Sequence, residues 1–357
     1  MANRLVRYEL GAGIGVAESS LPVVDVDSGR LVIGDSSPAT SSTSMCAVAI
    51  SNSGDIYVAD SAQSVIYRVD ESGTPFIFAG LYGATGNVDG DANTAKFGTP
   101  VALAVDRSGF VYVADNANGS VRRIDKNGNV GTLATGITSP VGVAVGSNGW
   151  VYVVDNVDHV VYQIKDGGAK LVLAGSTGVS GDVAGVSGGS RVYGTTARFN
   201  APTAIACDRS GNVFVADAGN FKIKKIYADG WVVRYTGTTT GNVLGVAASS
   251  KFAAVNGIAS DSTGNLLVLD IGNDKIKYVD RNGTVSMLSP TASTALAIAV
   301  SPYDIIYVVE SSDTAPNNSS SSSSSTKVSL SSSSSSKSSK SVSSSSSKSV
   351  SSSSSTT

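Results

Sequence analysis

A single histidine, His159, is all the imidazole in a chain of 357 residues. It sits in a polar turn, Asn156-Val157-Asp158-His159, and reads as an exposed turn residue. With no second histidine, zinc centres built on His and paired Cys are excluded, and a His-based nucleophilic triad has no other base to draw on. Cysteine is as scarce: Cys46 and Cys207 are the only two. Two are too few for a disulfide scaffold, and their apolar neighbours mark them as buried free thiols. Charge is thin, with 15% charged residues and a net charge of −2. Phosphate contacts need clustered Lys and Arg, so DNA is not an expected partner. No run of about 18 apolar residues exists, so no membrane span is expected. The stretch MANRLVRYELGAGIG lacks the apolar core of a secretion signal.

What the chain has in quantity is glycine, 39 residues, and repetition. The stretch VALAVDRSGFVYVADNANGSVRRI from Val101 reads as an apolar strand, a Gly turn, a second apolar strand ending in Asp, a polar turn and a third strand. The same sentence begins at Cys46, Val141, Thr203 and Asn256, and a half copy, LAIAVSPYDIIYVVE, begins at Leu296. After the third strand, Lys126-Asn127-Gly128 turns into a fourth. Four strands in a meander make one propeller blade, and a fixed repeat is the signature of such arrays. Gly54, Gly109, Gly149, Gly211 and Gly264 each precede Asp60, Asp115, Asp155, Asp217 and Asp270 by six residues, and Asp304 and Glu310 keep that spacing. The Asp markers are 55, 40, 62, 53 and 40 residues apart. The surplus lies in long links, residues 80–99, 175–201 and 236–254, which all lead into a first strand. Such loops share one face of a propeller, and loops on a rigid scaffold are where function usually sits.

The segments GNVDGDANTAKFGTPVALAVDRSGFVYVADNANGSVRRID and ARFNAPTAIACDRSGNVFVADAGNFKIKKIYADG resemble the NHL-repeat family. They carry its A-x-F/L-x-x-P lead, its VAVD-x-x-G-x-V/I-Y-V-A-D core, its N-x-R/K-I outer strand and its D-G turn. The resemblance covers residues 44–310. It implies an all-β fold, a β-propeller of four-stranded antiparallel blades, and six copies imply six blades. Gly146 replaces the first Asp in the third copy, and Pro302-Tyr303-Asp304 replaces x-x-Gly in the sixth. The sixth copy stops at Glu310 with two strands. Residues 1–43 are therefore expected to close the ring, with RLVRYEL from Arg4 as a third strand and residues 21–26 or 31–34 as a fourth. The rival reading makes them a separate anchoring arm. Residues 311–357 are a Ser/Lys low-complexity tail that cannot fold alone. Its Val328, Leu330, Val342 and Val350 are the expected contacts if it packs in an assembly.

The repeated Asp residues admit two readings. Each could bond the backbone of its own turn, which Asn118, Asn220 and Asn273 three residues later support. Or they could ring the channel and hold a divalent cation, as in propellers resembling lactonases. The first makes Gly54, Asp60, Gly109, Asp115, Gly149, Asp155, Gly211, Asp217, Gly264 and Asp270 construction residues. Asp25 and Asp27, and Asp89 and Asp91, have the spacing that opens a calcium loop but lack the rest of the motif, so they are weak metal candidates and no cofactor is expected. Arg122, Arg123, Lys222, Lys224, Lys225, Lys275 and Lys277 fall on third strands and read as a solvated outer surface. Some NHL relatives bind single-stranded RNA on a basic face, and Phe221, Tyr227 and Tyr278 could stack bases here.

With a rigid ring and no catalytic constellation, the expectation is a non-catalytic propeller for assembly or adhesion. A phage-type virion protein (head fibre, capsid decoration or tail-associated receptor binder) fits this layout. Its partners would be other chains of the particle and a host receptor or glycan. It would oligomerise through the tail or N-terminal arm. The alternatives are a calcium-dependent propeller hydrolase or lyase, and a cytoplasmic scaffold or single-stranded RNA binder.

Overall fold

The structure, a computed structural model, describes residues 4–10, 16–17, 30–32, 44–70, 74–165, 167–186, 189–289 and 295–310. Among these residues there is no α-helix, and three 3-10 turns are the only helical pieces.

Each full copy folds into four consecutive antiparallel strands. The first blade is Met45–Ile50, Ile56–Asp60, Val65–Val69 and Pro75–Ala79. The second is Pro100–Val105, Val111–Asp115, Ser120–Ile124 and Val130–Ala134. The third is Pro140–Val145, Val151–Asp155, Val160–Ile164 and Lys170–Gly175. The fourth is Ala204–Cys207, Val213–Asp217, Lys222–Ile226 and Trp231–Thr236. The fifth is Val255–Ser260, Leu266–Asp270, Lys275–Val279 and Val285–Ser289. In the fourth blade the preceding link adds Gly185–Val186 and Val192–Tyr193 along the outermost strand.

The expectation of six four-stranded blades is corrected to five built this way. The remaining sheet is composite. Ala295–Val300 and Ile305–Glu310 come from the half copy, and Arg4–Leu10 pairs antiparallel with the latter from Arg4 opposite Glu310 to Glu9 opposite Ile305. Two short strands, Val16–Ala17 and Arg30–Val32, share the far edge of Arg4–Leu10. Ile305–Glu310 would otherwise present an open edge, which invites wrong pairing. Residues 21–26, offered as a fourth strand, lie outside the described residues.

The first strands stand side by side in a ring, and Ala295–Val300 closes it against Met45–Ile50. Every residue of the five second strands (IYVAD, VYVAD, VYVVD, VFVAD and LLVLD) is buried. A continuous apolar run has no polar face, so both its faces need cover, and the neighbouring blades supply it. The core therefore lies between blades. Val58 of the first blade meets Val309 of the composite sheet, and Ile66 and Phe78 meet Leu103 and Val113 of the second. The turn between first and second strands needs a left-handed residue. Gly54, Gly109, Gly149, Gly211 and Gly264 hold φ between 79° and 93° there. Asp304 holds the same place at φ 61°, and Asp is among the few side chains that adopt it readily.

Candidate functional site

The five repeated Asp side chains are fully buried at the ends of the second strands. Asp60 accepts the N–H groups of Ser44, Ala62 and Gln63. Asp115 accepts those of Gly98 and Thr99. Asp155 accepts those of Thr138, Ser139, Val157 and Asp158. Asp217 takes Asn200, and Asp270 takes Ala253 and Ala254. Each carboxylate thus ties the start of its blade's first strand to the end of the second. Asn118, Asn220 and Asn273 each donate to the Asp three residues earlier at 2.7 Å.

The third-strand cations are the main correction at residue level. Arg122, Lys224 and Lys277 were expected in solvent; all three are fully buried. Arg122 donates to the Lys96 carbonyl and lies 3.4 Å from Asp115. Lys224 donates to the Arg198 carbonyl and lies 2.6 Å from Asp217. Lys277 donates to the Lys251 carbonyl and lies 2.7 Å from Asp270. Each cation also faces a buried ring from the long link before its blade: Phe97 at 5.4 Å, Phe199 at 5.0 Å and Phe252 at 4.8 Å. The links therefore dock on the following blade through one repeated device: a phenylalanine, a carbonyl, a buried cation and a carboxylate. The two blades without long links carry Tyr67 and Tyr162 at the cation's register.

Asp89 and Asp91 do not form a metal centre. Asp89 accepts Arg122 at 2.5 Å and both the N–H and hydroxyl of Thr132. Asp91 accepts Asn93 and Thr94 within its own turn. Asp25 and Asp27, and Val328, Leu330, Val342 and Val350, lie outside the described residues. His159 is half-buried, and its Nδ1 accepts the Ala201 N–H. The sequence also contains one G-x-S-x-G match, at residues 185–189. Its Ser187 and Gly188 lie outside the described residues.

The first halves of the six ring strands line a central opening. The outermost layer is Cys46, Val101, Val141, Thr203, Asn256 and Leu296. The next is Val48, Leu103, Val143, Ile205, Ile258 and Ile298, each less than a tenth exposed. This aliphatic layer forms the floor of a funnel of about 490 Å³, which opens on the face of the Asp turns and is also lined by Ser44 and Asn156. A second chamber of about 200 Å³ opens on the opposite face beside Cys207 and Ser260.

No charged residue lines the funnel among the described residues. Thr203 Oγ1 donates to the Val255 carbonyl, Asn156 Nδ2 to the Pro202 carbonyl and Asn256 Nδ2 to the Leu296 carbonyl. Their oxygens are left to accept from a ligand. The Cys46 thiol, bonded to the Pro100 carbonyl, is pushed up to about 11 by burial, so it is a thiol and not a nucleophilic thiolate near neutral pH. Calcium prefers six to eight oxygens including carboxylates. The funnel offers neutral oxygens, and the rim carboxylates are turned into their own backbone, so this donor set does not fit a calcium ion.

Sequence reading had not singled out Asn156, Thr203 or Asn256. The available signal was the aligned copies: where other ring strands place Cys46, Val101, Val141 and Leu296, two place Thr203 and Asn256.

No protein-family model matches the chain, and no curated protein matches it. Many solved structures do share its fold. A gluconolactonase from Xanthomonas campestris is 13% identical, with TM-score 0.54 over 87% of this chain and 95% of that one. A protein of unknown function from Bacteroides thetaiotaomicron is 14% identical, with TM-score 0.55 over 87% of this chain and 76% of that one. A virginiamycin B lyase from Staphylococcus aureus is 15% identical, with TM-score 0.49 over 75% of this chain and 95% of that one. At such identity the likeness is one of fold: the chain is a β-propeller.

This likeness overturns the expectation of a non-catalytic, phage-type virion protein. That expectation rested on layout, namely a rigid ring, no His-based triad and a Ser-rich tail. A ring of the same build is a gluconolactonase in the Xanthomonas protein. The ring is therefore no sign of display or adhesion, and the want of a triad does not exclude an enzyme.

Proposed function

We propose that this chain is a small-molecule propeller of the hydrolase or lyase kind, acting on a neutral, partly apolar compound held in the funnel. The observation that carries the reading is the funnel itself: about 490 Å³, floored by aliphatic side chains, with oxygens of Thr203, Asn156 and Asn256 at its wall. That volume is within the range of ordinary ligand sites, and an apolar pocket with a few convergent polar groups is their usual make-up. A charged substrate would lose its hydration there without a counter-charge. A small cyclic ester, the class of substrate named by the gluconolactonase neighbour, suits such a wall.

At finer grain, we read the ring as a six-bladed NHL-type propeller in which the composite sheet serves as the sixth blade. The support is the A-x-F lead. Its Phe97 and Phe199 are the very residues that cover the buried Arg122 and Lys224.

The test is turnover of a panel of neutral lactones by the full chain, followed by pH-stat. Hydrolysis above the uncatalysed rate is expected, with KM raised about fivefold in Asn256→Leu, the effect of one lost neutral hydrogen bond of about 1 kcal/mol. Absence of both turnover and binding across the panel contradicts the reading. Binding without turnover reduces it to ligand capture.

A further inference from the structure

A third pocket lies on the opposite face, in the cleft between the fourth and fifth blades, with a volume of about 210 Å³. It is walled by Arg209, Lys225 and Arg281, with Ser210, Thr263 and Tyr235. Three cations around one small cleft would repel each other unless something neutralises them. The ion pairs of the fourth blade are made elsewhere: Lys222 and Lys224 with Asp182, Lys224 with Asp217, and Arg191 with Asp229. Among the described residues, none joins Arg209, Lys225 or Arg281 to an acid. Asp208, at the pocket wall, is the one acid among the lining residues; its carboxylate accepts the N–H groups of Ser210 and Asn212 and the Asn212 amide and still offsets only one of the three positive charges. The cleft therefore carries a surplus of positive charge.

Lys225 is the organised member. Its ammonium lies 4.8 Å from the Tyr227 ring centroid, 5.2 Å from Phe214 and 5.8 Å from Tyr235. These rings fix the position of the ammonium but supply no oxygen acceptor. Tyr235 cannot turn its hydroxyl to it, because that hydroxyl donates to the Asp280 carbonyl at 2.5 Å. Burial holds Lys225 below the usual lysine range, against the opposing pull of the Asp208 carboxylate, so a single acid faces the three cations of the cleft. Arg209 and Arg281 are exposed on either side, and two guanidinium forks with a fixed ammonium match the several oxygens of a tetrahedral anion.

We propose that this cleft binds the phosphate group of a small phosphorylated ligand, with Lys225 as the fixed contact and Arg209 and Arg281 closing on it from the surface. The cleft has room for a phosphate and part of its carrier, and it is bounded by the turns at residues 208–212 and 262–264. That favours a small ester over an extended nucleic-acid strand. The site is independent of the funnel, which opens on the other face.

The experiment is calorimetric titration of the full chain with inorganic phosphate at constant ionic strength, with chloride and acetate as controls. One saturable phosphate site is expected, with sulfate competing and acetate weaker. Lys225→Met is expected to weaken phosphate binding about tenfold or more, the effect of losing one charge-assisted contact. Lys225→Arg is expected to keep binding, and the surface pair Arg209→Ala with Arg281→Ala to lose it with an unchanged melting temperature. That pair keeps the test sound should Lys225→Met fold poorly. Phosphate heats no different from chloride, or binding unaltered by the surface pair, would overturn the proposal. So would tight binding of a single-stranded oligonucleotide that phosphate cannot displace, which would make the cleft part of a nucleic-acid surface.

Discussion

Lys277 shows how much of this protein's stability rests on single buried charges. Its ammonium is fully buried against Asp270, the Lys251 carbonyl and the Phe252 ring. Removing one partner of such a pair strands the other charge. Lys277→Met is therefore expected to cost about 3–5 kcal/mol, read as a lower midpoint in urea unfolding. Asp270→Leu should not rescue it, because Asp270 also accepts the Ala253 and Ala254 N–H groups. A double variant as stable as wild type would contradict that role. The partly exposed acids give a pH dependence. Against the opposing effect of partial burial, hydrogen bonds from Ser53 and Arg68 hold Asp55 below the ordinary carboxylate range. Arg122 and Thr132 do the same for Asp89, and Lys222 and Lys224 for Asp182. A lowered folded-state value gives stability that is fully present above the unfolded value, about 4, and is lost as pH falls through the lowered one. Melting temperature should be flat near neutrality and fall below about pH 4, and Asp89→Asn should make the fall shallower. A profile equally flat at pH 3 would contradict this account. At this scale the sequence was half legible. The Gly and Asp markers stood out because turns demand them. The burial of Arg122, Lys224 and Lys277 did not, since a cation on a third strand looks the same whether it meets solvent or a phenylalanine from a distant link.

At the scale of elements, the N-terminal strand carries a structural duty out of proportion to its seven residues. It pairs along Ile305–Glu310 and joins the two ends of the ring sequence in one sheet. Deleting residues 1–10 should expose that edge, lower the melting temperature and produce concentration-dependent aggregation on size-exclusion chromatography. An unchanged, monodisperse ring would show that the strand is dispensable. This closure was legible, because a half copy at one end and an orphan strand at the other are complementary. Of the composite sheet's two short outer strands, Arg30–Val32 falls on the stretch 31–34 read as a fourth strand; Val16–Ala17 was not legible, since a two-residue pairing leaves no period to read. The long links were visible as surplus length, but their docking through Phe97, Phe199 and Phe252 depends on contacts with the following blade.

Over the whole molecule, the ring creates two different mouths. One is an uncharged funnel floored by Val48, Leu103, Val143, Ile205, Ile258 and Ile298; the other is a charged face with the Arg209–Lys225–Arg281 cleft beside it. The fold was legible from repeats of strand and turn. The funnel was not, because it consists of six positions far apart in sequence that share only a register. The central claim, that the funnel is where a small neutral molecule is held, is tested most directly by a crystal structure of the full chain soaked with a neutral lactone. The account predicts ligand density over the aliphatic floor, within hydrogen-bonding reach of Thr203 and Asn256, and none in a Thr203→Val, Asn256→Leu variant. Density elsewhere on the ring with the funnel empty, or undiminished binding by that variant, would contradict it.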